Sequence, residues 1–182
     1  MPRRTRFVPL LLAALVFAAL ALGVSACGWS SDSKEVVEGE VVELGDLKYQ
    51  VIFSRFLNPN DNEDSAYLVG QPPLPKGYSY FGVFLEVQNK SEHTQKLASS
   101  FKITDAEHEV FEAKPSESLY AFPFGGEVES QEPIPAPDST PQQGSIEGSL
   151  VLFEVPAKAS ENRPWKLLIA GPEGPAEVTL DV

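Results

Sequence analysis

Few residues in this chain carry reactive chemistry: one cysteine (Cys27), two histidines (His93 and His108) and 26 carboxylates among 182 residues. Each set suggests a reaction or a ligand that the rest of the sequence can test. Cys27 in "GVSACGW" could be a thiol, half of an intermolecular disulfide, a metal ligand or a modification site. The run Asn58-Pro59-Asn60-Asp61-Asn62-Glu63-Asp64 packs the hard oxygen ligands that calcium prefers. Read as an EF-hand from Asn60 it fails, because the sixth position is Ser65 and the twelfth is Gln71. A calcium site of another kind stays open beside a solvated acidic turn. Blue copper needs two histidines, a cysteine thiolate and usually a methionine. The only methionine here is Met1, and His93 and His108 fall in a turn and a hairpin. No Gly-x-Ser-x-Gly or Ser-x-x-Lys motif supports a hydrolase, and two loop histidines give little support to a dispersed triad. The expectation is therefore no catalytic residue, no metal ligand, no cofactor and no enzymatic activity.

Cys27 is better read with what precedes it. Arg3, Arg4 and Arg6 lead into an apolar run from Phe7 to Val24 that small residues close, the pattern of a secretion signal. Val24-Ser25-Ala26-Cys27 resembles the bacterial lipobox, whose cysteine sulfur receives a diacylglycerol and whose new amino terminus is often acylated. One acyl chain anchors only marginally, at ~0.8 kcal/mol per buried CH₂, whereas two or three hold a protein stably on a bilayer. The alternative is an uncleaved signal anchor, since the run approaches the ~20 residues of a membrane helix. Both readings place the remainder outside the cytoplasm, at the cell membrane. Arg3-Arg4 invites a twin-arginine route, but no Phe-Leu pair follows at the usual offset.

Losing residues 1–26, with their three arginines, would leave 156 residues and take the net charge from −12 to −15. Such an acidic chain is a poor partner for nucleic acid or anionic headgroups, which are bound through Lys and Arg. Membrane attachment then falls to the lipid on Cys27. Residues 27–46, "CGWSSDSKEVVEGEVVELGD", read as an acidic tether in which Trp29 sits at the membrane interface or in solvent.

Residues 47–182 read as the folded domain. Leu47, Tyr49, Val51 and Phe53 alternate with Lys48, Gln50, Ile52 and Ser54, and Phe81, Val83, Leu85 and Val87 alternate with Gly82, Phe84, Glu86 and Gln88. The first member of each pair of sets should face the core. "SSFKITD" and "HEVFEA" flank a turn at Asp105-Ala106-Glu107-His108. "SIEGSLVLFEVP" is apolar on both faces, as in a strand covered on both sides, and "PWKLLIAG" and "AEVTLDV" complete the set. No stretch sustains a 3.6-residue apolar period with helix caps. About seven short strands predict an all-β fold, an antiparallel sandwich of two sheets.

Two connections exceed the usual few residues: Leu57 to Gly77 and Lys114 to Gly144. Tyr67, Tyr78, Tyr80, Phe84, Tyr120, Phe122 and Phe124 lie in or beside them and form the candidate binding surface, since aromatic side chains dominate interface hot spots. The competing reading is that they pack on the sandwich. Phe84 discriminates: it lies on the outward face of the central strand, so either a loop or a partner covers it.

The order of motifs resembles a bacterial lipoprotein domain of unknown function with an immunoglobulin-like β-sandwich, similar to a secreted mycobacterial antigen. The resemblance covers about residues 47–182 and rests on "GYSYFGVFLEVQNKSEHTQ", "FKITDAEHEVFEA", "QGSIEGSLVLFEVPAKASENRPWKLLI" and "AEVTLDV". This chain departs where Glu107-His108 stands in place of the usual hairpin glycine, and in the proline-rich loop before Gly144. The resemblance implies a fold and a location but no reaction. The resulting expectation is a lipid-anchored extracytoplasmic module that binds an envelope protein, peptide or polymer; the alternatives are a structural envelope lipoprotein without a discrete ligand, and a weak calcium-binding or hydrolytic protein.

Overall fold

The computed structural model describes residues 34–182. Cys27, Trp29, the expected signal peptide of residues 1–26 and the start of the expected tether lie outside the described residues.

Among the described residues, twelve strands, one short α-helix and one 3₁₀ helix follow one another: β1 (Lys34–Val37), β2 (Val41–Leu44), β3 (Leu47–Leu57), α1 (Asn62–Tyr67), β4 (Tyr78–Asn89), β5 (Gln95–Lys96), β6 (Ser100–Thr104), β7 (Val110–Lys114), β8 (Glu127–Val128), β9 (Pro133–Ile134), β10 (Ser149–Pro156), the 3₁₀ helix (Ala157–Glu161), β11 (Trp165–Gly171) and β12 (Gly174–Leu180). The seven longest, β3, β4, β6, β7, β10, β11 and β12, are those the alternation predicts. The other five hold only two or four residues each, too short for period two to register.

One sheet runs β1-β12-β11-β6-β7 and the other β7-β10-β4-β3-β2, so β7 belongs to both. Val110, Phe111 and Glu112 pair with β6, while Ala113 and Lys114 pair with β10, and the sheets join through that strand. The all-β, sandwich-like expectation holds, with more strands than seven. It is not antiparallel throughout, because β1 runs parallel to β12.

β1 and β2 also correct the tether reading: from Lys34 onward the acidic segment is part of the sandwich. The reason is a tight turn that crosses between the sheets. Glu40 N–H donates to Val37 O at 3.0 Å, Glu38 N–H to Thr179 O on β12 at 2.8 Å, and Gly39 N–H to Val51 O on β3 at 2.9 Å. Gly39 takes φ +89°, which an L side chain rarely adopts. The Glu38 carboxylate accepts from Ser54 N–H, Ser54 Oγ–H and Asp181 N–H at 2.9, 2.6 and 3.0 Å, tying the turn to β3 and to the end of β12. Lys34 Nζ donates to Glu43 O at 2.9 Å, occupying a carbonyl on the outer strand of the second sheet.

A bulge between Val51 and Phe53 corrects the expected face of the end of β3. One extra residue inverts every side chain beyond it. Phe53 is therefore exposed and Ser54 buried, where Glu38 meets it.

The inner faces enclose a core in which Tyr49, Val51, Phe81, Val83, Leu85 and Val87 oppose Phe101, Ile103, Trp165, Leu167, Ile169 and Val178. Trp165 is wholly buried and meets Phe81 and Phe56 edge to face at 4.9 and 5.8 Å. Its indole N–H donates to Ala159 O at 3.0 Å, so the polar end is satisfied inside. β10 is covered on both faces, as its apolar run predicts: Val151, Phe153 and Val155 join this core, Leu150 and Leu152 a second one on the outside.

Candidate functional site

The second core is made by the two long loops. Asp61 caps α1, its Oδ1 accepting from Glu63 N–H and Asp64 N–H at 2.9 and 3.2 Å. The acidic run is thus a helix start. Asp64 is buried and accepts from Arg55 Nη1 at 3.0 Å, from Arg55 Nη2 and from Asn58 N–H at 2.7 Å. Asn58 Oδ1 accepts from Asn60 N–H at 3.0 Å. The side-chain oxygens of Asn58, Asp61 and Asp64 are turned onto the loop's own backbone and Arg55, and among the described residues no three His, Cys, Asp or Glu side chains are grouped to hold a metal ion.

α1 lays Tyr67 on Phe84, edge to face at 4.9 Å, and Tyr120 of the second loop on Tyr67 at 4.7 Å. The second loop is fastened there by three bonds. Ser118 Oγ donates to Ala66 O at 2.7 Å, Leu150 N–H to Tyr120 O at 2.6 Å and Phe122 N–H to Leu150 O at 2.8 Å. Leu57, Leu68, Tyr80, Leu150 and Leu152 complete the cluster. Burial pushes the phenols of Tyr67 and Tyr80 up, with the Glu63 carboxylate adding to the effect at Tyr67.

The aromatic set therefore does not form one binding surface. Tyr67, Tyr80 and Phe84 are buried under the loops, with Tyr120 half-buried beside them. Phe122 and Phe124 belong to the sandwich core, their rings 5.0 and 5.5 Å from Phe101. Only Tyr78 is open to solvent, at 44% of its surface. A loop covers Phe84, and aromatic content alone could not separate a loop's own core from a docking face.

Where the first loop leaves α1 and returns to β4 it borders a groove of about 590 Å³. Leu57, Leu68 and Leu74 line its apolar part; Asn60, Tyr78 and Ser79 are among its polar groups. The proline-rich wall is ordered by its bonds: Tyr80 Oη donates to Pro72 O at 2.5 Å, Gln71 Nε2 to Pro115 O at 3.1 Å and Tyr78 N–H to Pro75 O at 3.1 Å. Sequence reasoning named Tyr78 and Tyr80 for binding and Asn60 only as a calcium oxygen, and gave Gln71 and Ser79 no binding role; their place at the two ends of the proline run is the signal for those two.

Both histidines are exposed. His108 takes φ +64°, the left-handed conformation for which glycine is the usual residue, at the hairpin position where the resemblance expects glycine. Asp105 holds that hairpin, its Oδ1 accepting from Glu107 N–H and Glu109 N–H at 2.9 Å each. The Asn89-Lys90-Ser91 turn is also built around its first residue. Asn89 is wholly buried; its amide N–H groups point to the carbonyls of His93, Val128 and Glu129, and its Oδ1 accepts from Ser91 N–H and Oγ–H.

No protein-family model matches this chain, and no curated protein matches it. Solved structures do. An uncharacterized β-sandwich protein from Clostridium difficile 630 superposes with a TM-score of 0.50 at 12% identity, over 81% of this chain and 93% of that one. The yjhA protein from Bacillus subtilis gives 0.51 at 12% identity, over 80% of this chain and 99% of that one. At such identity the likeness is one of fold alone, and the first of these proteins is itself described as a β-sandwich.

Proposed function

We propose that this chain is a lipid-anchored, extracytoplasmic binding module of a bacterial cell envelope, built on an immunoglobulin-like sandwich and without catalytic activity or a resident cofactor. The lipobox-like Val24-Ser25-Ala26-Cys27 supports the anchor, and seven longer strands in two packed sheets support the sandwich type. The observation that carries the binding role is the groove beside Tyr78. Loops of this length serve either function or nothing ordered. Here they fold into a layer with its own core and leave an ordered concave wall with an exposed aromatic at its edge. A purely structural envelope protein would need the acidic surface but no such wall.

Chemical crosslinking in intact membranes, comparing the wild-type chain with Tyr78→Ser, tests this reading. The expected result is an envelope neighbour enriched with the wild type and lost with the variant. No enriched neighbour, or the same neighbours with both chains, returns the protein to the structural reading. The anchor has its own test. Cys27→Ser should abolish lipid labelling and leave the precursor unprocessed, whereas a wild-type chain free in the medium with an unmodified Cys27 thiol contradicts it.

A further inference from the structure

The groove beside Tyr78 is uncharged throughout: none of its twelve lining residues is Asp, Glu, Lys, Arg or His. The surrounding protein is the opposite, with 22% charged residues and a net charge of −12. Building on the binding reading above, we infer that the groove takes an uncharged saccharide chain, with one pyranose ring stacked on Tyr78.

Three properties of the site select that chemistry. First, an ionic ligand would lose its hydration against Leu57, Leu68 and Leu74 and meet no counter-charge, a cost of several kcal/mol. Second, a wholly apolar ligand would strip water from polar groups without replacing their hydrogen bonds. Among the described residues, the side chains of Asn60, Tyr78 and Ser79 make no hydrogen bond within the protein, and so keep their capacity for a ligand; leaving such groups dry costs about 1–3 kcal/mol each. Third, a neutral pyranose presents both surfaces at once: an axial C–H face that lies on an aromatic ring, whose electron-rich face attracts it, and a rim of hydroxyls that both donate and accept. Tyr78 supplies the ring, 44% exposed at the groove margin.

The site is also ready to bind. Tyr80 Oη on Pro72 O, Gln71 Nε2 on Pro115 O and Tyr78 N–H on Pro75 O fix the wall before any ligand arrives, so little ordering opposes binding. A volume of about 590 Å³ lies within the ~300–1,000 Å³ of small-ligand sites. The open margin leaves room for a chain longer than the part that is held.

Maltotetraose, cellotetraose and tetra-N-acetylchitotetraose, neutral pyranose chains that differ in the glycosidic linkage and in the group on C2, are the probes. Each is titrated into the full-length chain in a sugar-free detergent, with saturation-transfer NMR reading contact to the sugar protons. At least one should saturate with a Kd on the order of 1 mM, the range open to a shallow preformed groove. Tyr78→Ala should weaken it at least about tenfold, and Leu119→Ala, an exposed residue of the second loop outside the groove, should leave it unchanged. No saturation by any tetraose, or equal binding to the Tyr78→Ala chain, overturns the inference. So does tighter binding of a neutral peptide of Ala, Gln and Pro. Failure here is separable from failure of the binding module: a Tyr78-dependent crosslinked protein neighbour without sugar binding removes the saccharide and keeps the module, while loss of both removes both.

Discussion

Tyr67 lies edge to face on Phe84, ring centroids 4.9 Å apart, and so a six-residue helix in a loop seals the outward face of the longest strand. Phe84 is wholly buried between that helix, β10 and its own strand. A residue reserved for a partner would tolerate truncation in the free protein. Phe84→Ala should instead lower unfolding stability by ~3–5 kcal/mol, as buried aromatics do, measured by urea denaturation. Unchanged stability would mean that the loop layer does not close over this face.

Arg55 and Asp64 hold the same layer from its other side. Asp64 is nearly inaccessible, while Arg55 keeps 30% of its side-chain surface, so solvent screens the pair in part. Asp64→Ala leaves Arg55 and Asn58 N–H without their acceptor and should cost about 2 kcal/mol, below the ~3–5 kcal/mol of a fully buried pair. Because the loss is local, limited proteolysis should cut between residues 58 and 77 faster in the variant, while the sandwich core keeps its amide exchange protection. Cleavage at the wild-type rate would show that the pair does not latch the loop.

The sandwich was legible in the sequence because its long strands bury one face or both: Phe81, Val83 and Leu85 announce a core face whatever their partners do. What escaped depended on single contacts. The bulge at Ile52 cannot be seen in an alternating pattern, and it exchanges the places of Phe53 and Ser54. β1 and β2 read as a tether because four-residue strands carry two inward side chains at most, and because Glu38, so polar in sequence, is consumed by Ser54 and Asp181 across the fold. The candidate site was legible only as two loops rich in aromatics. Which of those rings seal the loop layer and which one stays open is decided by the packing of Tyr67, Phe84 and Tyr120, a relation spanning residues far apart in the chain.

Asn89 shows how a short motif can be structural rather than functional. Its amide serves three carbonyls, two of them, Val128 O and Glu129 O, on the second long loop. Asn89→Ala should destabilise by about 3 kcal/mol, since several buried groups lose partners together. Asn89→Asp is more informative, because an ionised carboxylate cannot donate to those carbonyls. Its carboxyl should be held neutral by burial, with a pKa raised above the ordinary carboxylate range. Proton linkage then makes this variant gain stability, relative to wild type, as pH falls toward 4. Parallel pH profiles for the two proteins would exclude the role given to the Asn89 amide.

The last relation lies in the main core, where Tyr49 Oη accepts from Ala98 N–H at 2.9 Å and joins β3 to the segment before β6. Burial pushes the Tyr49 phenol above its ordinary value, the Ala98 hydrogen bond opposing the shift in part. A raised folded pKa means that the native state holds its proton where the unfolded chain has begun to release it. The corresponding stability is complete below the ordinary phenol value of about 10 and declines as pH climbs from there through the folded value. Tyr67 and Tyr80 are shifted the same way and add to the slope. Tyr49→Phe removes one ionising group but orphans the buried Ala98 N–H, at about 1–3 kcal/mol. The variant should therefore be less stable than wild type at pH 7 and lose stability less steeply above pH 10. Thermal unfolding from pH 7 to 11 measures both, and an equal alkaline slope in the two proteins would remove Tyr49 from the titrating set.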